Sequence, residues 1–186
     1  MKKLGILLIA LGIFVPLATT VVTFVLPETF ASSAKLLHPA GSPAPLVVAV
    51  GKMMIGSNLN LVVSHLNLNA QWGKKYNMPG ELSAEKCQEK LRRMVQVQLP
   101  RRASIIEIKV FSDDSHEAAT IANELAKIYL RSAPGTSVID RAEANPAPVR
   151  PNKRLNIGIG IFIGATFLTA GIGLLIASRI AVKRPE

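Results

Sequence analysis

Residues 105–130, IIEIKVFSDDSHEAATIANELAKIYL, change their hydrophobic period halfway along. In the first half Ile106, Ile108 and Val110 alternate with other residues, which is typical of a strand with one buried face. In the second half the apolar residues recur at helical spacing: Ala118, Ile121, Ala122, Leu125, Ile128 and Tyr129. The stretch therefore predicts a strand followed by an amphipathic helix, with Asp114 and Glu117 in the register of a capping box at the helix start.

The sequence on either side of this stretch completes a small domain. Residues 95–99 also alternate, and PRRAS at 100–104 joins them to the strand above, which predicts an antiparallel pair. Residues 82–94 predict a helix with Ser83 as its N-cap, residues 46–66 predict another, and residues 67–81 predict a loop that packs through Trp72 and Tyr76. Residues 28–37 and 136–144 add two strands, so the expected fold class is α+β, an antiparallel-rich sheet packed with helices.

Both ends of the sequence carry long apolar runs, at residues 4–26 and 155–178, with no charged side chain in either. Each is long enough to cross a bilayer as a helix, which takes about 20 residues. The first run could instead belong to a signal peptide, with ASSA at 31–34 for cleavage, but its length favours a retained helix. The predicted organisation is a membrane helix within residues 1–26, an α+β domain at 27–144, a proline-rich segment at 145–154, a second membrane helix at 155–178 and a tail at 179–186.

The cations that flank these runs predict an orientation. Lys2 and Lys3 precede the first run, and Arg179, Lys183 and Arg184 follow the second. Such flanks are typical of the cytoplasmic side, so we expect an inner-membrane protein with both termini in the cytoplasm and the central domain in the periplasm. The formal charge of +10 therefore does not indicate a nucleic-acid partner.

The candidate reactive residues form no recognisable catalytic pattern. His38, His65 and His116 lie in separate predicted elements without the spacing of a metal site, and no phosphate-binding loop occurs. We therefore expect no enzyme activity, no cofactor and no metal. Cys87 is expected to be a small buried residue on the inner face of its helix.

The second apolar run and the segment before it carry the candidate functional residues. Gly160 and Gly164 form a G-x-x-x-G pattern, which lets membrane helices approach closely, and the expected partner is the first membrane helix or a neighbouring subunit. Pro146, Pro148 and Pro151 predict an extended, semi-rigid spacer. The three cations in the same segment are expected to contact anionic lipid or another anion: Arg150, Lys153 and Arg154.

The order of several stretches resembles a known family. These are LPETFASSAKL at 26–36, LNLNAQWGKKY at 66–76, the central residues 91–130, and VIDRAEANPAPVRPNKRLNIGIGIFIG at 138–164. Together, between two predicted membrane helices, they resemble the polysaccharide co-polymerases, which are the Wzz-type chain-length determinants and the related membrane subunits of exopolysaccharide and capsule export. The resemblance covers nearly the whole chain.

This resemblance implies a function. It implies a non-enzymatic homo-oligomeric ring in the inner membrane that modulates the chain length or export of lipopolysaccharide O-antigen, capsule or exopolysaccharide with a separate polymerase. The alternative is a transmembrane adaptor that activates a separate cytoplasmic tyrosine kinase through the tail RIAVKRPE at 179–186. The sequence departs from the family in one respect, because only SAPGTS at 132–137 stands where relatives carry a long helical extension. We also expect no kinase domain.

Overall fold

The computed structural model describes residues 2–38, 48, 50–51, 53–100 and 104–182. The chain divides into two compact units. One comprises the residues up to Glu28 together with those from Val149 onward, and the other is Thr29–Pro148. The first unit contains the two terminal helices, and the second contains all of the strands assigned in the described residues.

The first unit is a pair of long helices, α1 (Lys2–Val25) and α6 (Lys153–Val182). Both are long and apolar enough to cross a membrane, as the two apolar runs predict. Helix α6 begins two residues before the predicted apolar run, so Lys153 and Arg154 form its first turn rather than the end of the proline-rich segment. Asn152 precedes this turn, and its side-chain oxygen accepts a hydrogen bond from the Leu155 N–H at 3.1 Å, which satisfies one of the free N–H groups at a helix start.

The second unit is an α+β domain built on one four-stranded sheet. Its elements in chain order are β1 (Phe30–Leu37), α2 (Gly56–His65), α3 (Leu68–Lys75), α4 (Ala84–Met94), β2 (Val95–Gln98), β3 (Ile105–Ser112), α5 (Ser115–Ser132) and β4 (Ser137–Asp140). The strand order is β2-β3-β1-β4, and every neighbouring pair is antiparallel. This confirms the predicted α+β class and the predicted antiparallel pairing of β2 with β3.

The core lies on one side of the sheet. Ile106, Ile108 and Val110 of β3 are fully buried, whereas the residues between them are only partly buried. Helix α5 packs against β1 and β3 through the apolar face that its spacing predicts, which includes the fully buried Ile121 and Ala122. The change of hydrophobic period within residues 105–130 therefore positions a strand and its covering helix, as predicted.

The region at residues 67–81 differs from the predicted loop, because it contains α3. Trp72 on this helix is 0% exposed, as a packing residue should be, but Tyr76 at its C-terminal end is 40% exposed and does not anchor the core. Gly73 permits the close turn that follows the helix, since a Cβ atom there would lie 2.5 Å from the Gly80 carbonyl oxygen. The prediction of a loop was wrong because Asn and Gly residues obscured the helical spacing of the buried Leu68 and Trp72.

Two other helix predictions have different outcomes. Helix α4 begins as predicted, with the Ser83 side chain accepting from the Lys86 N–H, and Cys87 is buried on its inner face. Helix α2 begins at Gly56, and the described residues before it at 48, 50, 51 and 53 are also helical, in agreement with the predicted helix apart from a break at residues 54 and 55. Much of the rest of the helix predicted over residues 46–66 lies outside the described residues.

Candidate functional site

The predicted glycine pair lies in the contact between α1 and α6. A Cβ atom at Gly160 would overlap the Thr19 hydroxyl, and a Cβ atom at Gly164 would lie 2.5 Å from Cγ of Pro16. Real Cβ atoms do not approach other heavy atoms this closely, so only glycine fits at either position. Of the two predicted partners, the structure brings these glycines to α1. A contact with a neighbouring subunit stays a prediction.

Glycines that the sequence reasoning did not pair complete this contact. Gly5 of α1 lies opposite Gly171 of α6, and Gly12 lies opposite Gly164, so the two helices are antiparallel. A Cβ atom at Gly12 would lie 2.9 Å from the Gly164 carbonyl oxygen, and one at Gly171 would lie 2.8 Å from that of Gly5. The signal that the sequence analysis missed is a pair of glycines seven residues apart in each helix. Gly5 and Gly12 of α1 lie opposite Gly171 and Gly164 of α6. The backbones therefore meet at two levels.

Pro16 gives a physical reason for the closest of these approaches. Proline has no N–H, so Pro16 cannot donate the helical hydrogen bond to the carbonyl oxygen of Gly12. That oxygen faces α6, where it would lie 2.6 Å from a Cβ atom at Gly164. With glycine at this position the Cα–H group can approach the oxygen instead, a weak interaction that recurs at close helix contacts. Proline within a membrane helix is tolerated when a neighbouring helix compensates in this way.

The proline-rich segment has no helix or strand between β4 and α6. The boundary between the two units falls within it, so Pro146 and Pro148 belong to the second unit and Pro151 to the first. The predicted extended and semi-rigid character of the segment stays a prediction.

The three predicted anion-contacting cations have different surroundings. Lys153 Nζ lies 2.6 Å from Oε1 of Glu28 and 5.2 Å from the ring centre of Phe24. It therefore joins the start of α6 to residues at the end of α1. Arg150 and Arg154 are exposed. Binding of lipid or another anion by the three cations stays a prediction.

A polar cluster in the second unit centres on the Glu117 carboxylate. Trp72 Nε1–H donates to Glu117 Oε1 at 2.5 Å, Lys75 Nζ lies 2.9 Å from Oε2, and the Ser112 hydroxyl donates to the same oxygen. Lys75 also donates to Asp113 at 2.5 Å. The cluster joins α3, the end of β3 and the start of α5. Trp72 and Glu117 are withdrawn from water, whereas the Lys75 and Asp113 side chains are 30% and 50% exposed.

The capping box predicted at the start of α5 is half present. Asp114 accepts from the His116 N–H at 2.8 Å, as an N-cap does. Glu117, which should turn back to the cap, bonds to Trp72 and Lys75 instead. This tertiary use of Glu117 was missed because its sequence position already had a local explanation.

The charges of the cluster stabilise each other. Burial alone would lower the pKa of Lys75, but its hydrogen bonds to Asp113 and Glu117 outweigh burial and raise the pKa. Burial would likewise raise the pKa of Asp113, and the hydrogen bonds from Lys75 and Ser112 lower it instead. Lys75 and Asp113 are therefore both ionised at neutral pH, and the Lys75 ammonium group lies within hydrogen-bond distance of the Asp113 and Glu117 side chains.

A second ion pair joins α2 to α5. His65 Nδ1–H donates to Oε1 of Glu124 at 2.8 Å, and Lys127 Nζ lies 3.4 Å from Oε2. The hydrogen bond from His65 is the largest cause of a lowered Glu124 pKa, Lys127 lowers it further, and burial opposes both. The Glu124 side chain is 12% exposed and the His65 side chain is 37% exposed, so the carboxylate of this pair is shielded from water.

The Glu124 pair predicts a dependence of stability on pH. A carboxylate with a lowered pKa stabilises the fold above its ordinary pKa of 4.5, and the stabilisation is lost as the pH falls through the lower folded-state value. At pH 6 we expect Glu124→Gln to lower the free energy of unfolding by about 1 kcal/mol. Urea unfolding followed by Trp72 fluorescence between pH 6 and 3 measures this, and the difference from wild type should shrink toward pH 3. A difference that is constant with pH would contradict the prediction.

The reactive residues singled out in the sequence are dispersed. His38 contacts the Thr136 and Tyr129 hydroxyls, whereas His65 pairs with Glu124. Within the described residues no group of three His, Cys, Asp or Glu side chains could hold a metal ion. Burial raises the pKa of the Cys87 thiol, which keeps it protonated and poorly nucleophilic.

Comparison with known proteins adds no relative. Neither a scan against protein-family models nor a search of curated proteins gives a match for the chain. The resemblance to the polysaccharide co-polymerases therefore depends on the sequence stretches quoted above and on their order along the chain.

Proposed function

We propose that the protein is a non-enzymatic membrane scaffold that modulates the chain length or export of a surface polysaccharide together with a separate polymerase. The polysaccharide class is lipopolysaccharide O-antigen, capsule or exopolysaccharide. In this proposal both termini lie in the cytoplasm, the α+β domain lies in the periplasm, and copies of the chain assemble into a ring in the inner membrane. The positively charged flanks of the two membrane helices support this orientation.

The observation that carries the proposal is the order of the resembling stretches on the elements of the fold. The stretch after α1 covers all but the last residue of β1. Residues 91–130 contain β2 and β3 and all but the last two residues of α5, and the last stretch begins in β4 and ends within α6. A single domain flanked in sequence by two helices of membrane-spanning length is the arrangement that the family resemblance implies. The proposal therefore depends on sequence and topology together.

The contact between α1 and α6 supports a structural role rather than a chemical one. Glycines on both helices bring the backbones together at two levels, and such contacts fix how membrane helices are arranged. A scaffold needs a fixed arrangement of this kind.

The chain joins α5 to β4 through residues 133–136, so we assign the effect on chain length to organisation of the polymerase rather than to a helical extension.

Deletion of the gene tests this function. We expect the size distribution of the surface polysaccharide on a gel to change, either in its modal length or in the amount exported. Expression of the full chain from a plasmid should restore the original profile.

Expression of Pro146→Ala/Pro148→Ala/Pro151→Ala should restore it only in part, if the proline segment aligns the domain with the membrane helices.

The outcome that contradicts the proposal is an unchanged profile in a strain whose parent demonstrably makes the protein. Gly158→Ala is a suitable control for complementation, because a Cβ atom at Gly158 has no heavy atom within 4 Å. It should restore the profile as fully as wild type does.

The adaptor alternative depends on the tail at 179–186, of which residues 183–186 lie outside the described residues.

A further inference from the structure

A groove opens between the first turn of α1 and the last turns of α6. It has a volume of about 420 Å³. Its apolar wall includes Ile6, Ile172 and Ile176, all three with exposed side chains, and its polar end includes Lys2, Ser178 and Arg179. An apolar channel with two cations at one end has the chemical character of a site for an amphiphile with a negative headgroup.

The charge at the polar end is not balanced within the helix pair. Neither α1 nor α6 contains an aspartate or glutamate, so Lys2 and Arg179 have no acidic partner in either helix. Ser178 donates its hydroxyl proton to the Leu175 carbonyl and is left as an acceptor only. Within the two described helices, the ammonium group of Lys2 and the guanidinium of Arg179 are therefore the donors without an acidic partner, and both suit phosphate oxygens.

We propose that this groove binds an anionic glycerophospholipid. The lipid phosphate lies between Lys2 and Arg179, and one acyl chain lies along Ile6, Ile172 and Ile176. Basic sites between membrane helices bind such headgroups, and burying an acyl chain against an apolar wall adds a contribution that a free anion lacks. This site is at the opposite end of α6 from Arg150, Lys153 and Arg154, and it goes beyond the proposed role in polysaccharide synthesis.

Native mass spectrometry of the purified full chain tests the proposal. Phosphatidylglycerol, phosphatidylcholine and inorganic phosphate are titrated separately, and retained adducts are counted. We expect wild type to retain one phosphatidylglycerol molecule, and Lys2→Gln/Arg179→Gln to retain it about tenfold more weakly. The matched control Lys3→Gln/Arg131→Gln removes two exposed cations that lie outside the groove and outside residues 150–154, and it should stay within about twofold of wild type.

A second pair of variants tests the apolar wall with every charge in place. Ile176→Trp should fill part of the groove and weaken retention of phosphatidylglycerol, whereas Phe162→Trp, on an exposed part of α6 outside the groove, should not. Circular dichroism confirms that each variant is folded, because both substitutions add a tryptophan to Trp72 and fluorescence would no longer report on one site. Equal retention of phosphatidylcholine and phosphatidylglycerol would overturn the proposal. So would retention of inorganic phosphate as strong as that of lipid, or equal losses in the two double variants.

Discussion

Replacing Gly164 with valine is expected to separate α1 from α6. The added atoms would meet the Pro16 ring and the Gly12 carbonyl oxygen, at 2.5 and 2.6 Å for the Cβ atom alone. Neither obstacle is the end of a flexible side chain, so the helices must move apart. We expect the association of the two helices to weaken by about 3 kcal/mol, the upper end of the range for overpacking.

Spin labels on the two helices measure this separation. Phe14 and Phe162 have exposed side chains, so labelled cysteines at these positions should leave the helix contact intact. Cys87 is 0% exposed and should not react with the label. In wild type we expect one narrow distribution of label-to-label distances, and in Gly164→Val a broader distribution shifted to longer distances.

Gly158→Val is the matched control, because it makes the same chemical change in the same helix where a Cβ atom has no heavy atom within 4 Å. Its distance distribution should match that of wild type. If Gly158→Val broadens the distribution as much as Gly164→Val does, the effect comes from adding valine to a glycine-rich helix. The packing explanation would then be wrong.

Replacing Glu117 with alanine should have the largest effect on the α+β domain. The change leaves the indole N–H of the fully buried Trp72 without its acceptor, and it removes one of the two carboxylates that hold Lys75. We expect the free energy of unfolding to fall by about 2 kcal/mol, because a buried N–H group is left without an acceptor, whereas Lys75 keeps its pair with Asp113. Glu117→Gln should cost less, since its amide oxygen can still accept from Trp72.

Urea unfolding of the full chain, followed by fluorescence, measures this loss. Trp72 is the single tryptophan of the sequence, so the signal reports on the domain that contains it. Glu89→Ala is the control. It removes a carboxylate that pairs with Arg93 on the surface, where the two side chains are 64% and 78% exposed, and it should cost less than about 0.5 kcal/mol. Equal losses for Glu117→Ala and Glu89→Ala would contradict a special role for the Glu117 cluster.

Hydrophobic periodicity was sufficient to predict much of the fold. The alternation around Ile108 and the helical spacing around Ile121 are local signals, and they predict both the elements and their buried faces. Helix α3 was not predicted, because it is only eight residues long and contains Asn and Gly, which are typical of loops. Its formation depends on burial of Trp72, a tertiary contribution that a single sequence segment does not reveal.

The candidate site was predicted only on one side of each contact. G-x-x-x-G identified Gly160 and Gly164, but the partners Thr19 and Gly12 lie about 140 residues away in sequence and share no local pattern with them. Glu117 was similarly assigned to the capping box at the start of α5, because its position three residues after Asp114 fits that local motif. Long-range contacts of this kind depend on how the elements pack, and sequence spacing within one element does not encode that.

The edges of the sheet bear on how the protein behaves at high concentration. Both edge strands, β2 and β4, have four residues, and β4 pairs with β1 through an irregular register at Lys35 and Leu36. Lys35 and Asp140 place charges beside this edge. Short, bulged and charged edges are poor templates for strand addition. Exposed strands of this domain should therefore not seed aggregation during overexpression, even though Val138 and Ile139 are exposed there.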